Sequence, residues 1–588
     1  MVRMQADFRG LEDDGMIERL KKLTAVAAGR EAPDMVLKGG RVVNVFSGDI
    51  IAADVAVSGG WIAGIGSYDG PHLWDVRGGL VCPGFIDGHL HLESTMLAPP
   101  ELARAVLAHG TTALVADPHE IANVMGNDGI RYFLDCAAGL PVDIYFMLPS
   151  CVPATHLETS GSRLEASDLL SWRGEPAVLG LAEVMNYPAV VNGDERMLAK
   201  VAAFADLVVD GHAPLLTGKD LNAYAAAGIR SDHECTDLEE AREKLRLGMH
   251  IMIREGTLAK NMRTLLPLVA PHCLRQFSLV CDDLNPADLL YRGHLDHILT
   301  LALEAGLDPI SALMMVKYNT ARYFGLKDRG AVAPGYRADM TILASVHPAQ
   351  VQGVVKSGRP VFKEGELLCE VKGSIPPGGC NTMNVRPWEP ASLAIPWEWS
   401  EIRVIDLIPD QLLTREVIVP TEPRRGLLEA DPQRDILKIA VVERHRKTGN
   451  IGRGMVRGFG LKRGALASSV AHDSHNILCV GVNDKDMHLA AKTVETMQGG
   501  LAVVADGEVK ASLPLPIAGL MSAVPLPNLV ANREALVQAA KSLGCAPADP
   551  FMTLSFLALP VIPELKITDL GLVDVRLFGH VPLFIHRR

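Results

Sequence analysis

The 588-residue chain has no C-x-x-C pair among its ten cysteines, no run of about 18 uncharged apolar residues and no excess of basic charge. Each absence closes a class. Ten cysteines scattered from Cys82 to Cys545, in a chain without a secretion signal, exclude a disulfide framework or a zinc ribbon and predict reduced, mostly buried thiols. The opening MVRMQADFRGLEDDGMIERLKK carries charge throughout and has no apolar h-region, so the expected location is the cytoplasm, with no membrane partner. A formal net charge of −12 argues against nucleic acid as a partner, since phosphate-backbone binding needs clustered Lys and Arg. The short basic stretch RHRKTGN (444–450) reads as solvated surface. There is no internal repeat and no low-complexity tract.

What is present is an ordinary globular composition, 48% hydrophobic and 21% charged, in a chain long enough for about three or four domains. Residues 1–30 read as a helical leader, with Met16, Leu20, Leu23 and Val26 at helical spacing. From 31 to 80 the texture changes to short β-branched runs broken by glycine, and it returns between 330 and 375; the two stretches are expected to form one small β-sandwich domain, split in sequence. Pro and Gly enrichment makes 376–399 a linker. Residues 400–588 alternate strand and helix patterns and are expected to form a C-terminal α+β domain.

Between 81 and 329 eight apolar runs alternate with helical patterns, from LVCPGFIDGHLH and TTALVADPHE to MHIMIREG and FSLVCDD. That is the number and length expected of a TIM-like (β/α)8 barrel, giving an α/β fold class. Nearly every run ends in polar, chemically capable residues. Strands buried on both faces should be apolar throughout, so polar C-terminal ends mark the place where a barrel enzyme puts its chemistry.

HLHLES (89–94) is the densest of these ends. H-x-H alone is weak, since 19 His in 588 residues give roughly 0.6 chance occurrences. On a strand, however, His89 and His91 point to the same side. Strand four ends in Glu183, strand five in His212, strand six in His233 and strand eight in Asp282 and Asp283. Four imidazoles and two or more carboxylates on one face suit one or two divalent metals, and a carboxylate bridging two metals is the arrangement that makes hydroxide from water at neutral pH. An H-x-E deaminase reading of the same run fails for want of the later P-C-x-x-C. Glu93 is then either pocket wall or a helix-start residue.

Beyond these ligands, PGFIDGHLHLES, ADPHEIANVMG (116–126), SCVPA (150–154), GLAEVMNYP (180–188), DGHAP (210–214), MIREG (252–256), AHDSHNILCVG (471–481) and SLPLPIAGLMS (512–522) resemble the amidohydrolase superfamily and, within it, the bacterial-type adenine deaminases. The resemblance runs over nearly the whole chain. It implies that His89 and His91 hold one metal, that His212 and His233 hold the other, that Glu183 bridges them, and that Asp282 is the strand-eight acid. The two divalent ions implied are manganese or iron, with zinc also compatible with N and O ligands.

The implied reaction is hydrolytic deamination of adenine to hypoxanthine and ammonia by a metal-bridging hydroxide, with Asp282 as general base and then acid. Relatives of this superfamily carry a ring-protonating Glu after the strand-five His, but here His212 is followed by Ala213 and Pro214. DPHE is the substitute source of an acid: Glu120 first, then Asp117, with His119 beside them. The same trio also fits a helix cap and first-turn acid, or a further metal site. Ser150, Arg254 and Glu255 are expected to line the purine pocket, although Arg254 and Glu255 also fit a structural ion pair. His472 to His475 are too close in sequence for a catalytic triad, and the loop is expected either to reach the barrel mouth or to brace the C-terminal domain. The alternatives are another amidohydrolase reaction, such as cyclic amide hydrolysis or deacetylation, and a metal-free scaffold. A homodimer or larger homo-oligomer is expected.

Overall fold

The structure, a computed structural model, describes residues 14–373, 381–409 and 411–585. Residues 1–13 of the expected leader therefore lie outside it. The rest of the leader is a helix, Asp14–Ala27, that buries only Val26 fully, against Ala56 and Ala63. Met16 and Leu20 are exposed, so the apolar spacing produces a helix that is only partly seated.

Strands from both flanks of the central region share one sheet. Leu80–Pro83 runs between Met35–Asn44 and Met340–Val346, and the pairing Met340 to Pro83 joins segments more than 250 residues apart. In hydrogen bonding this is a single nine-stranded sheet, where two stacked sheets were expected from the sequence. Its core includes Leu37, Val42, Val57, Val81, Met340 and Ile342. The turn at Gly60 needs glycine: φ is +83°, and a Cβ would sit 3.0 Å from the Ser357 carbonyl.

The central region supplies eight parallel strands in two arcs. The first arc holds β1 (Phe85–Leu90), β2 (Thr111–Ala116), β3 (Asp143–Pro149), β4 (Val178–Val184) and β5 (Val208–Gly211). The second holds β6 (Ser231–Asp232), β7 (His250–Arg254) and β8 (Phe277–Val280). Backbone bonds bridge the arcs on both sides: Arg230 N–H donates to the Val209 carbonyl at 3.1 Å, and Asp282 N–H to the His89 carbonyl at 2.9 Å. Every residue of β1, β2, β7 and β8 is buried, which is why these segments read as apolar runs without alternation.

The C-terminal region is built on an eight-stranded sheet with Ile436–Val442 and Ile477–Gly481 near its centre, covered by helices Asp484–Thr496 and Leu526–Ser542. Val385, Trp388 and Leu393, from the stretch read as a linker, are buried in its core. It docks on the strand ends of the arcs: Ser522 N–H donates to the Met96 carbonyl and Ala98 N–H to the Ser522 carbonyl, both at 2.9 Å, and Thr568 Oγ1 donates to the Leu157 carbonyl at 2.7 Å. The RHRKTGN stretch departs from its expected place on the surface. Arg446 to Gly449 are exposed, but Arg444 is fully buried. The nine cysteines among the described residues are all free thiols, and seven of them are buried. Among the described residues no helix is long and apolar enough to cross a membrane.

Candidate metal centre

The C-terminal ends of the eight strands converge on a buried group of imidazoles and carboxylates. His89 is the penultimate residue of β1 with His91 just beyond the strand, Glu183 is in β4, His212 and His233 follow β5 and β6, and Asp282 follows β8. The Glu183 carboxylate divides its oxygens between two histidine pairs. Oε1 lies 3.3 Å from His89 Nε2 and 3.1 Å from His91 Nε2, while Oε2 lies 3.0 Å from His212 Nδ1 and 3.6 Å from His233 Nε2. Asp282 Oδ1 faces the first pair, 3.4 Å from His89 and 3.2 Å from His91.

Two of these carboxylates sit on unusual backbone. Glu183 has φ of +23° and Asp282 of +61°, conformations rare for residues with a Cβ. Surrounding bonds hold both in place. Ser150 Oγ donates to the Glu183 carbonyl at 2.7 Å, and Lys200 Nζ donates to the Ser150 carbonyl at the same distance. Arg254 Nη1 donates to Asp282 Oδ2 at 2.8 Å and grips Glu234 with both terminal nitrogens.

The donor set fits divalent cations. His89 Nε2, His91 Nδ1 and Glu183 Oε1 are buried without a hydrogen-bond partner, an arrangement proteins avoid unless a ligand completes it. His89, His91 and Asp282 bring their donor atoms within 4.8 Å of one another, as do His89, Glu183 and His233. Neutral N and anionic O donors of this kind suit manganese, iron or zinc. The electrostatics agree: burial resists charge on Glu183, yet His91, His233 and the other imidazoles hold it well below the usual carboxylate range. Burial likewise opposes charge on Asp282, and the Arg254 guanidinium keeps it ionised.

The DPHE segment forms the adjoining wall and starts helix α1 (His119–Met125). Its N-cap is Pro118, with no side-chain cap, so Asp117 does not serve that helix as a cap. Asp117 Oδ2 instead lies 3.0 Å from His119 Nδ1, and Asp117 Oδ1 is buried and unpartnered. His91, His119 and Glu120 also group their donor atoms within 4.8 Å. The cap comes from Glu93, whose Oε1 accepts the Ile121 N–H at 2.9 Å. Burial and the neighbouring Glu120 push the Glu93 carboxyl up to about 8. Of the two readings of Glu93 in HLHLES, the helix-start one holds, since Glu93–Thr95 is a 3-10 turn, and Glu93 Oε1 in addition caps the helix begun by DPHE.

Other sequence-based expectations are redistributed. Asp283 turns from the imidazoles toward Ser94, whose hydroxyl donates to it, so Asp282 is the strand-eight acid facing His89 and His91. Ser150 spends its hydroxyl on the Glu183 backbone and so braces the centre from behind. Arg254 pairs with Glu234 and Asp282 and not with Glu255, which lies 3.8 Å from Lys260 outside the cluster. Glu234 went unnoticed in the sequence: its Oε1 lies 3.5 Å from His233 Nε2 and 3.8 Å from His212 Nδ1. It directly follows a strand-end histidine, and that adjacency was the available signal. The His472 loop of the same chain also reaches this wall, with His472 Nδ1 3.1 Å from Glu120 Oε1.

Comparison with known proteins matches this architecture at both ends. Residues 80–361 match the amidohydrolase family and residues 411–579 the adenine deaminase C-terminal domain. An adenine deaminase of Desulfatibacillum aliphaticivorans is 50% identical over 565 residues, covering 96% of this chain and 99% of that protein. One of Dehalococcoides mccartyi (strain ATCC BAA-2266 / KCTC 15142 / 195) is 47% identical over 568 residues, covering 96% and 100%. Among solved structures, a β-aspartyl dipeptidase of Fervidobacterium islandicum AW-1 aligns with a TM-score of 0.44 at 13% identity, over 58% of this chain and 99% of that one.

Proposed function

The chain belongs to the adenine deaminase family of amidohydrolases, and from that premise we propose that it converts adenine and water to hypoxanthine and ammonia at the buried histidine–carboxylate centre. The observation that carries the reading is the Glu183 carboxylate, with one oxygen on each histidine pair. We read the two bridged arcs as a (β/α)8 barrel with this centre at its C-terminal mouth. His89, His91, His212, His233, Glu183 and Asp282 would hold two divalent ions, manganese or iron, which supply the Lewis acidity that makes water a competent nucleophile at neutral pH.

The residues of the chain then manage orientation and protons. Water oxygen bonds to adenine C6 while ring N1 takes a proton, and the exocyclic C–N bond breaks to release ammonia. Asp282 receives one water proton and passes it to the departing nitrogen, acting as base and then acid. Arg254 occupies Asp282 Oδ2, so that carboxylate cannot rotate away from the reacting side. Burial opposes charge on Glu120, yet His472 and the other imidazoles hold it ionised, so it takes up the second water proton and delivers it to N1, where it stays on the product. Asp117 and His119, joined at 3.0 Å, form the polar wall beside it.

The test is ammonia release by the manganese-loaded full-length protein from adenine, adenosine, guanine and cytosine, with a dihydropyrimidine as the cyclic-amide control. Turnover of adenine well above the other bases is expected. Preferential opening of the dihydropyrimidine, or adenine turnover that survives His89→Ala, would defeat the reading.

A further inference from the structure

A buried polar loop from the far end of the chain closes on the carboxylate proposed to protonate the purine ring. His472 Nδ1 lies 3.1 Å from Glu120 Oε1, and His475 Nε2 lies 3.7 Å from Glu120 Oε2, so each oxygen faces one imidazole. The tautomer of His475 follows from its backbone. Ala471 N–H donates to His475 Nδ1 at 3.1 Å, and His475 N–H returns to the Ala471 carbonyl at 2.7 Å. With Nδ1 occupied as an acceptor, the neutral ring carries its hydrogen on Nε2, aimed at Glu120. That hydrogen is aimed at Glu120 Oε2 but does not reach it: at 3.7 Å, both His475 Nε2 and Glu120 Oε2 are buried without a hydrogen-bond partner.

The loop is itself held rigidly. The His472 ring stacks on Phe556 at 4.4 Å, and its backbone N–H donates to the Ser555 carbonyl at 3.1 Å. Buried Arg444 donates to the His475 carbonyl and, at 3.0 Å, to the Ala518 carbonyl. Asn476 Nδ2 crosses to the Thr159 carbonyl at 2.8 Å, tying the loop to the segment after β3. Nothing in the proton scheme above uses these residues, yet they are buried beside it.

We propose that His472 is a positioning residue that fixes the Glu120 carboxylate through Oε1, so that the C-terminal domain completes the reacting surface in the same chain. Glu120 sits in the first turn of a seven-residue helix, and an unheld glutamate there has three side-chain torsions to settle. Holding Oε1 removes much of that freedom before the ring arrives and leaves Oε2, which has no hydrogen-bond partner, for the ring. The proposal rests on the reading of Glu120 as the ring acid.

The experiment uses full-length manganese-loaded protein with His472→Ala, His472→Asn, Glu120→Gln and the His472→Ala/Glu120→Gln pair. His472→Ala is expected to lower kcat about 100-fold, the low end of general acid–base contributions, with KM changed only a few-fold and metal per chain unchanged. His472→Asn places an amide nitrogen near the position of Nδ1 and should recover about tenfold; it also stands in if the alanine variant fails to fold. The double variant should be no slower than Glu120→Gln alone. Wild-type kcat in His472→Ala, losses that multiply in the double variant, or loss of one metal ion per chain would each overturn the proposal. If the wild-type protein releases no ammonia from adenine, the functional reading fails by itself. The positioning role is then decided by a crystal structure of His472→Ala: a displaced Glu120 carboxylate supports it, and an unmoved one overturns it.

Discussion

Asp232 and His233 are neighbours in the chain but belong to two different kinds of buried polar cluster. Asp232 joins Lys244 and Glu240, where the lysine directs its three protons to Ala213 O at 2.7 Å and to Asp232 Oδ2 and Glu240 Oε1 at 2.6 Å each. Asp232 Oδ1 accepts the Ala213 N–H, and Glu240 also accepts from Leu215 and Thr236, so the hydrogen bonds are complete without any outside group. His233, pointing the other way from the same strand end, joins four imidazoles and two carboxylates in which His89 Nε2, His91 Nδ1 and Glu183 Oε1 lack partners. Both clusters are buried. The closed one is a structural ion pair with a small net value, and the open one costs stability unless a ligand repays it.

Removing one member of each cluster should separate them by what is lost. His89→Ala is expected to cut adenine deamination on the order of 1,000-fold or more and to lower bound metal, because it removes a donor common to both candidate ion groups. Ammonia assay with metal analysis reads both effects. Lys244→Met should instead destabilise the fold by about 3–5 kcal/mol, since Asp232 and Glu240 are left as uncompensated buried acids. Thermal or urea unfolding measures it, and adding Asp232→Asn and Glu240→Gln should recover part of the loss. If Lys244→Met melted like the wild type, the contrast between the clusters would not hold.

Arg254 spans the distinction, being a complete ion pair that also restrains a carboxylate of the open cluster. Arg254→Met should lower kcat about 10–100-fold, the usual range for a group that orients a metal ligand. A fall in stability with full kcat per folded molecule would put Arg254 with the closed cluster.

Lys566 tests the closed type from the opposite side. It is fully buried with a single acceptor, the Leu412 carbonyl at 2.9 Å, and burial lowers its pKa to about 7 from 10.5. Between these values the unfolded chain holds a proton that the folded chain does not. Native stability therefore rises with pH across that window, by up to about 1.4 kcal/mol per unit, and is reduced toward pH 7. Lys566→Met should remove this dependence and raise the melting temperature at pH 8. Melts at pH 7.5, 8.5 and 9.5 in both proteins would show the two slopes converging, or refute the assignment.

Much of the open cluster was legible because each of its residues ends a buried strand. A polar residue after an apolar run needs no partner in view to be noticed, and His89, His91, Glu183, His212, His233 and Asp282 all stand that way. The supports were legible only in type. Arg254 was seen beside Glu255, its neighbour in sequence, but it pairs with Glu234 and Asp282 on adjacent strands. Ser150 read as pocket lining, yet its hydroxyl bonds the next strand. Arg444 read as surface because basic runs are usually solvated, yet it is buried and donates to the His475 and Ala518 carbonyls of its own domain.

By itself, the sequence determined the parallel strands, the family and the histidines and carboxylates that stand at the strand ends, because strand burial writes a local pattern of residue type. Only the tertiary structure decided which oxygen of Glu183 faces which histidines, that Glu93 caps the helix begun by DPHE, and that His472 and His475 close on Glu120 from more than 350 residues away. Those are choices of partner. Chain spacing does not encode them, since they follow from packing a whole domain against the strand ends.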